Sequence, residues 1–334
     1  MRILRVLLAV FVAIALGLYL NNASWLAPPP EGQPKLYAHR GVHQPYERAG
    51  LTNDTCTAER MLPPAHDYLE NTIASMEAAF AYGADRVEMD IYRAADGDWA
   101  VFHDYSLACR TDGEGRIRDH TMATLRTLDV GHGYTADGGQ TFPFRGRFVG
   151  AMPSLADVLI RFPDGAFELH AKGATAEEAD ALWAYLQQID DVNVSRLTVF
   201  ALPAFGARWS ELDTGVPVIG KHRAAACVQS YLLTGWTGRL SAACESGIVV
   251  PQDVAWLFWG WPDRLQQRFA DTPVGVMLIG PALKENGSRA IDSLEELARV
   301  PDSFAGWIYT NRIELIGPAM EARWDGRSTS AAMQ

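Results

Sequence analysis

Residues 35–41 read KLYAHRG, a short apolar run that ends in a histidine, an arginine and a glycine. Similar segments follow it: RVEMDI at residues 86–91, WAVFHD at 99–104 and FELHAK at 167–172. Each is as short and apolar as a buried strand and carries polar residues along it or at its end. Between the first two, ENT at residues 70–72 opens a helical pattern that stops at Gly83. Alternating strand and helix patterns of this kind are typical of an α/β protein.

The composition is that of a globular protein. The chain has 334 residues, of which 48% are hydrophobic and 21% charged, which excludes a disordered or collagen-like chain. Its net charge is −11 and it has no basic run. A nucleic-acid binder is therefore not expected, and neither is electrostatic anchoring to anionic lipid. A phosphate-bearing substrate would need local positive charge or a metal ion to overcome the overall repulsion.

The N-terminal segment has the pattern of a membrane-targeting helix. The run Val6–Leu20 contains no charged residue, and Arg2 and Arg5 precede it. We interpret residues 1–27 as a signal anchor or signal peptide and residues 28–34 as a linker. The anchor is favoured because the chain offers only a weak small-residue cleavage pattern, and a buried internal helix is the third alternative. Both targeting interpretations place the rest of the chain outside the cytoplasm, on the periplasmic side of the inner membrane in a bacterium.

The cysteines fit an oxidising compartment. They are even in number and form no C-x-x-C pair, which disfavours redox and zinc-ribbon sites. The four are Cys56, Cys109, Cys227 and Cys244. Three pairings are possible, and we favour Cys56–Cys109 with Cys227–Cys244 because each pair would join loops. Four free buried thiols are the alternative.

Two acidic residues suggest a cation site. Side chains alternate along a strand, so Glu88 and Asp90 point to the same face. Two carboxylates on one face suit Ca²⁺ or Mg²⁺. Taken alone, however, this pair could be a solvated strand face, and His39 could be an ordinary polar residue.

The order and spacing of these segments resemble those of the glycerophosphodiester phosphodiesterase family. The strand with HRG, the helix with ENT, the E-x-D strand and the HD pair occur in that order. The likeness continues through RTDGEG at residues 110–115 and PSL at 153–155, and ends in GWIYTNR at 306–312. It covers nearly all of residues 35–318, closely up to about residue 172 and more weakly beyond.

The resemblance implies a TIM-type (β/α)8 barrel over residues 35–320, followed by a tail at 321–334. Catalytic residues of such barrels lie at the carboxyl ends of the strands. Further strands are predicted at Leu197–Leu202, Val216–Gly220, Ile248–Val250, Val274–Ile279 and Trp307–Tyr309. These make nine strand candidates, one too many for the barrel, so the Ile248 segment or another should lie outside it. The long loops at residues 42–69 and 129–152 should border the active site.

The resemblance also implies a division of roles among the site residues. His39 and His103 would serve acid–base catalysis, and Arg40 and Lys172 would bind the phosphate. Glu88 and Asp90 would bind the metal ion, and Glu70 would organise the site.

One position departs from the family pattern. Many members carry E-x-K in the fourth strand, where the glutamate is the third metal ligand, but this chain has His170 two residues before Lys172. His170 is a candidate ligand that would favour a softer metal such as Mn²⁺ or Zn²⁺ over Ca²⁺ or Mg²⁺. Alternatively it only hydrogen-bonds, with Glu168 or water completing the site.

The expected function is metal-dependent hydrolysis of glycerophosphodiesters to glycerol 3-phosphate and an alcohol, such as choline or ethanolamine. Two alternatives remain open. One is a phospholipase D-like activity on lysophospholipids or sphingolipids, and the other is a catalytically silent surface binding protein of the same fold. The expected partners are a small-molecule substrate and a membrane, contacted through the N-terminal helix. The sequence leaves the oligomeric state open.

Overall fold

The computed structural model describes residues 2–52, 55–282 and 289–331, with residues 325–331 as backbone only. The strands are β1 (Lys35–Ala38), β2 (Arg86–Arg93), β3 (Trp99–Val101), β4 (Phe167–Ala171), β5 (Leu197–Ala201), β6 (Val218–Ile219), β7 (Ile248–Pro251), β8 (Val276–Ile279) and β9 (Trp307–Thr310). The α-helices are α1 (Arg2–Asn22), α2 (Ile73–Ala81), α3 (Met122–Leu125), α4 (Leu155–Arg161), α5 (Ala176–Leu186), α6 (Pro203–Glu211), α7 (Lys221–Thr234), α8 (Asp263–Phe269), α9 (Leu294–Ala298) and α10 (Ile313–Ala331).

Eight strands form one curled parallel sheet. Their spatial order is β6-β5-β4-β2-β1-β9-β8-β7, so the first strand pairs with the last. A helix follows nearly every one of them and packs on the outside, as the resemblance to a TIM-type barrel implied. Among the described residues no backbone ladder joins β6 to β7, the two ends of this order, and we call this gap the seam.

The strand candidate that lies outside the barrel is β3 and not the Ile248 segment, which was the first of the two alternatives that the sequence left open. β7 pairs in parallel with β8 and belongs to the barrel. β3 instead runs antiparallel to β2, with Ile91 opposite Val101 and Arg93 opposite Trp99. His103, in the WAVFHD segment that was counted among the nine strand candidates, therefore does not end a strand of the barrel. The antiparallel return carries His103 back to the level of Asp90, because Phe102 donates its N–H to the Asp90 carbonyl at 2.9 Å.

The side-chain pattern of β2 separates the core from the site. Val87, Met89 and Ile91 are fully buried and belong to the hydrophobic core that the helices cover. Glu88 and Asp90 alternate with them and therefore face the interior of the barrel. The polar residues of this strand thus lie inside the barrel, and its apolar residues bind it to the helical layer.

Two disulfides tie loops together. Cys56 is bonded to Cys109, and Cys227 to Cys244, which is the pairing favoured from the sequence. The first bond joins the loop after β1 to the loop after β3. The second joins α7 to the segment before β7, beside the seam.

Helix α1 lies apart from the barrel. Among the described residues it is the one helix long and apolar enough to cross a membrane, and it has no buried residue. The alternative of a buried internal helix is therefore wrong. Its end contacts the barrel, where the side-chain amides of Asn21 and Asn22 donate to the Trp236 carbonyl at 2.9 and 3.0 Å.

Candidate active site

The parallel register brings the predicted site residues to one edge of the barrel. Asp90 in β2 lies opposite His170 in β4, and Glu88 lies opposite Glu168 one layer below. Lys172 follows the end of β4. His39 follows β1, the other neighbour of β2. Side chains far apart in the sequence therefore line one end of the barrel, as expected for catalytic residues on this architecture.

A tight turn after β1 sets the position of Arg40. Arg40 and Gly41 both have left-handed backbone conformations, with φ of 60° and 77°. A Cβ at Gly41 would lie 2.6 Å from Ser75 Oγ, so glycine is required there for close packing on α2 as well as for its conformation. Asn71, also left-handed with φ of 58°, donates its backbone N–H to the Arg40 carbonyl at 3.0 Å. The HRG and ENT segments thus hold each other in place.

Three side chains form a candidate metal-binding group. Glu88, Asp90 and His170 each offer a ligand atom, and these atoms lie within 4.8 Å of one another. His170 Nδ1 is 3.0 Å from Glu88 Oε1 and 3.2 Å from Asp90 Oδ1. Both carboxylates are nearly or fully buried, and Glu88 Oε2 makes no hydrogen bond among the described residues. His39 Nε2 lies 3.4 Å from this oxygen.

This donor set fits a divalent cation. Two buried carboxylates this close together keep their charge only with positive partners, and Glu88 Oε2 still lacks a hydrogen-bond donor. Burial lowers the pKa of His170, but Asp90 and Glu88 outweigh that effect and raise it. Without a metal the carboxylates therefore favour the protonated imidazole. Glu168 is not part of the group, and burial raises its pKa to about 7.

Alternating charges continue from this group across the site. Lys172 Nζ is 2.7 Å from Asp90 Oδ1, and Arg40 Nε is 3.1 Å from Asp90 Oδ2. Arg40 also reaches Glu70 at 3.1 Å, and Arg110 reaches the second oxygen of Glu70 at 3.3 Å. Each of these carboxylates therefore has a cationic partner. Burial raises the pKa of Asp90, but the charges of Lys172 and Arg40 outweigh burial and hold that pKa well below its usual value.

His103 lies at the far end of this charge series. Its Nδ1 is 2.6 Å from Asp104 Oδ1, and Arg110 Nε donates to Asp104 Oδ2 at 2.7 Å. Burial raises the pKa of Asp104, but Arg110 and His103 lower it to well below its usual value. Because the ionised carboxylate only accepts, Nδ1 of His103 carries a proton and Nε2 is the exchangeable atom.

His39 is oriented by an asparagine from the last strand end. Its Nδ1 lies 2.6 Å from Asn311 Oδ1, and Asn311 Nδ2 donates to Asp292 Oδ2 at 2.8 Å. The amide of Asn311 is thereby fixed with its oxygen toward His39, so Nδ1 donates and Nε2 faces Glu88. Burial and the nearby Arg40 hold the pKa of His39 well below its ordinary value. The pKa of His103 is lowered by burial and then by Arg40.

Apart from the cysteines, all eight predicted site residues lie at this edge of the barrel. Three residues that hold these side chains in place, Asn311, Asp104 and Arg110, were not predicted from the sequence. The signal for Asp104 was its position after His103. The signal for Asn311 was its place at the end of the last strand, since closing a barrel sets that end beside β1. Arg110 had no local signal beyond the quoted RTDGEG segment.

Comparison with known proteins gives the same resemblance in each case. Residues 58–204 match the model of the glycerophosphoryl diester phosphodiesterase family, and His39 and Arg40 precede that range. The glycerophosphodiester phosphodiesterase of Bacillus subtilis strain 168 is 36% identical over 122 residues, which cover 34% of this chain and 40% of that protein. Human glycerophosphodiester phosphodiesterase 1 is 40% identical over 65 residues, 20% of each chain. The matched stretches thus span two fifths or less of these curated relatives.

Solved structures show the same fold over a longer range. The glycerophosphoryl diester phosphodiesterase domain of an uncharacterised Mycobacterium tuberculosis protein has a TM-score of 0.59 at 17% identity, and the match covers 87% of this chain and 100% of that one. An Oleispira antarctica phosphodiesterase, solved in complex with the product sn-glycerol-3-phosphate, has a TM-score of 0.51 at 19% identity and covers 88% and 97%. At these identities the likeness shows a common fold. The chain therefore resembles the glycerophosphoryl diester phosphodiesterase family in sequence over residues 58–204 and shares the fold of these solved structures over most of its length.

Proposed function

We propose that the protein hydrolyses glycerophosphodiesters to glycerol 3-phosphate and an alcohol. The observation that carries this proposal is the arrangement of two histidines, each with Nδ1 held by an oxygen acceptor, around a compact Glu88, Asp90 and His170 group. The Bacillus subtilis relative bears the name of this activity, and the Oleispira antarctica neighbour is described with its product.

The acid–base pair is His39 and His103. Hydrolysis of a phosphodiester needs a group that removes a proton from the nucleophile and one that donates a proton to the leaving oxygen. In both residues Nδ1 is occupied by a fixed acceptor, which leaves Nε2 to exchange the proton. Their lowered pKa values leave both imidazoles neutral at pH 7 in the free protein. The negative charge of a bound phosphodiester then favours protonation of the histidine that serves as the acid.

Arg40 and Lys172 are the phosphate-binding residues. Both lie against Asp90, at 3.1 and 2.7 Å, and both border the cavity above the metal group. They supply the local positive charge that an acidic protein needs to attract an anionic substrate. Glu70, held between Arg40 and Arg110, organises this cationic side of the site.

Glu88, Asp90 and His170 would hold one divalent cation. When bound, it would neutralise charge on the phosphoryl oxygens. A nitrogen ligand beside two carboxylates admits Mn²⁺ or Zn²⁺ as well as Mg²⁺ or Ca²⁺. We also propose that the protein works outside the cytoplasm, held to the membrane by α1, because two disulfides and an exposed apolar helix suit that location.

The test is release of glycerol 3-phosphate from glycerophosphocholine by the full chain in mild detergent. The protein is treated with EDTA and then supplied separately with Mg²⁺, Ca²⁺, Mn²⁺ or Zn²⁺. We expect no release after EDTA and recovery with at least one metal. The His222→Ala variant, which changes an exposed histidine, serves as a control for the loss expected in His39→Ala. Absence of release with all four metals, from glycerophosphocholine and from a lysophospholipid alike, would overturn the proposal and favour the silent binding protein.

A further inference from the structure

The barrel interior contains a large cavity with two different halves. Its volume is about 1450 Å³, and it includes the candidate active site on the side of β1, β2 and β4. On the side of β5 to β8 the strands contribute apolar side chains, and the exposed polar residues Lys221, Arg223, Gln229 and Arg289 also border the cavity. The apolar side chains there are Phe200, Ile219, Val249, Met277 and Ile279.

Within the part of the chain that the structure describes, no side chains fill the apolar half. The interior of a TIM-type barrel is ordinarily packed with layers of branched residues. Here Ile219, Val249 and Ile279 are only partly buried, although they point into the barrel. Leaving these surfaces in contact with water forgoes the free energy that their burial would provide. The arrangement therefore indicates a space kept for an apolar ligand.

The cavity continues through the seam between β6 and β7. Beyond the barrel wall it is lined by Val228 and Leu232 on α7 and by Ala243 before β7. The Cys227–Cys244 disulfide lies beside these residues and ties α7 to the segment that carries Ala243. The covalent bond thus maintains the wall of the passage where the backbone ladder is missing.

The cavity is larger and more apolar than a glycerophosphodiester requires. Pockets for drug-sized ligands have volumes of roughly 300–1,000 Å³, whereas glycerophosphocholine is smaller than most such ligands and polar throughout. A phosphodiester held by Arg40 and Lys172 would occupy the polar half, and the β5–β8 half and the seam would remain empty. A hydrocarbon chain on the glycerol would be removed from water there.

We propose that this half of the cavity and the seam bind one long acyl or alkyl chain, so that the substrate class is lysophospholipids. The inference rests on the proposed phosphodiesterase function and specifies its substrate. The phosphate lies at the polar half, and the chain extends across Ile219 and Val249 toward Val228 of α7. We call these three residues and their apolar neighbours the chain channel.

The position of α1 agrees with a lipid substrate. The channel reaches Leu232 near the end of α7, and Trp236, one turn further, accepts hydrogen bonds from Asn21 and Asn22 at the end of α1. Leu233 and Trp236 are 67% and 41% exposed on that side of the molecule. The channel therefore ends near the surface to which the apolar helix is attached.

Binding is tested directly, with turnover prevented by EDTA. The full chain is titrated calorimetrically with lysophosphatidylcholines of increasing chain length, each below its critical micelle concentration, and with glycerophosphocholine. The dissociation constant should fall by up to about three- to fourfold per added methylene, the ratio that corresponds to burial of one CH₂, until the channel is full. The longest chains should bind at least 100-fold more tightly than glycerophosphocholine.

A blocking variant locates the chain. Val228→Trp should remove most of the dependence on chain length, and with metal restored it should lower the ratio of kcat/KM for long-chain lysophosphatidylcholine over glycerophosphocholine at least tenfold. Leu233→Trp, on the outer surface of the same helix, should leave this ratio unchanged.

The outcomes separate the two proposals. Hydrolysis of glycerophosphocholine with no gain in affinity from added methylenes would overturn the chain channel and leave the proposed function standing. Chain-dependent binding without hydrolysis of either substrate would support the channel and overturn the function. Because the wild-type series suffices for both conclusions, the inference does not depend on whether Val228→Trp folds.

Discussion

Nδ1 of His39 and Oδ1 of Asn311 lie 2.6 Å apart, although 272 positions separate the two residues. The contact exists because β1 pairs with β9, where Ala38 lies opposite Thr310, so the residues that follow these strands are neighbours. Asp292 receives both the backbone and the side-chain N–H of Asn311, each at 2.8 Å. The orientation of His39 is thus set by the closure of the barrel.

This contact predicts opposite effects for two substitutions at Asn311. Asn311→Asp places a carboxylate on Nδ1, which stabilises the imidazolium and raises the pKa of His39 from its lowered value. Asn311→Ala removes the acceptor that now favours the imidazolium, so the pKa should fall further. The limb of the kcat/KM profile that reports His39 should move to higher pH in the first variant and to lower pH in the second. If the His39 limb of the pH profile moved in the same direction in both variants, the assignment of that limb to His39 would be contradicted.

Removing the imidazole itself should abolish most of the activity. General acid–base catalysis by one positioned group contributes roughly 10²–10⁴-fold. We therefore expect His39→Ala and His103→Ala each to lower kcat by about that factor. The melting temperature should change little, since neither side chain belongs to the apolar core. Full activity in either variant would remove that histidine from the mechanism.

The nitrogen ligand should determine the choice of metal. Replacing His170 by glutamate restores an all-oxygen set, which favours hard cations over Zn²⁺. We expect His170→Glu to tighten Mg²⁺ or Ca²⁺ relative to Zn²⁺ by at least tenfold, measured by titration of the EDTA-treated protein. Glu88→Gln should weaken every metal. If His170→Glu left the order of metal affinities unchanged, His170 would not be a ligand.

The site was predictable wherever its residues lie within one short segment. Glu88 and Asp90 share a face because strand side chains alternate, and that rule needs no tertiary information. Asn311 and Arg110 act through contacts across the barrel, which depend on its closure and on the folding of a loop. The seam and the chain channel were not predictable either, since they arise where two strands do not pair and where side chains do not fill the barrel interior.

The misassigned strand carried a signal that could have identified it. Only five residues separate Arg93 from Trp99, and the turn between them contains Gly97 with φ of 90°. A parallel neighbour needs a crossover of a dozen or more residues, whereas an antiparallel one needs only a short turn. Loop length therefore decided the direction of β3 where its apolar composition did not.

Arg110 should contribute strongly to stability. It is buried between Asp104 and Glu70, and removing one partner of such a group costs about 3–5 kcal/mol, because it leaves uncompensated buried charge. We expect Arg110→Ala to lower the free energy of unfolding by about that amount. Arg161, 2.6 Å from Glu77 in an exposed pair, is the matched control, and Arg161→Ala should cost at most about 1 kcal/mol. Equal losses in urea titrations of the two variants would contradict this.

The same residues predict a pH dependence of stability. The pKa of Asp104 is lowered in the folded protein, so its contribution is fully present above the unfolded value of about 3.9 and is lost as the pH falls below it. The wild type should therefore lose stability steeply below about pH 4. Asp104→Asn should lose less over the same interval, although it is less stable at pH 7. Parallel curves of unfolding free energy against pH would exclude Asp104 as a source of the acid sensitivity.

The two disulfides should differ in what they support. Cys56–Cys109 closes a loop of 53 residues and Cys227–Cys244 one of 17, so chain entropy assigns them about 4 and about 3 kcal/mol. Cys109 adjoins Arg110, whose guanidinium orders Glu70 and Asp104, so the Cys56→Ser/Cys109→Ser variant should lose activity on every substrate. The Cys227→Ser/Cys244→Ser variant loosens α7 at the seam and should lose mainly its preference for chain length. Thermal melts and assays on glycerophosphocholine and long-chain lysophosphatidylcholine measure both effects. An equal loss on both substrates in the second variant would show that the seam does not depend on its disulfide.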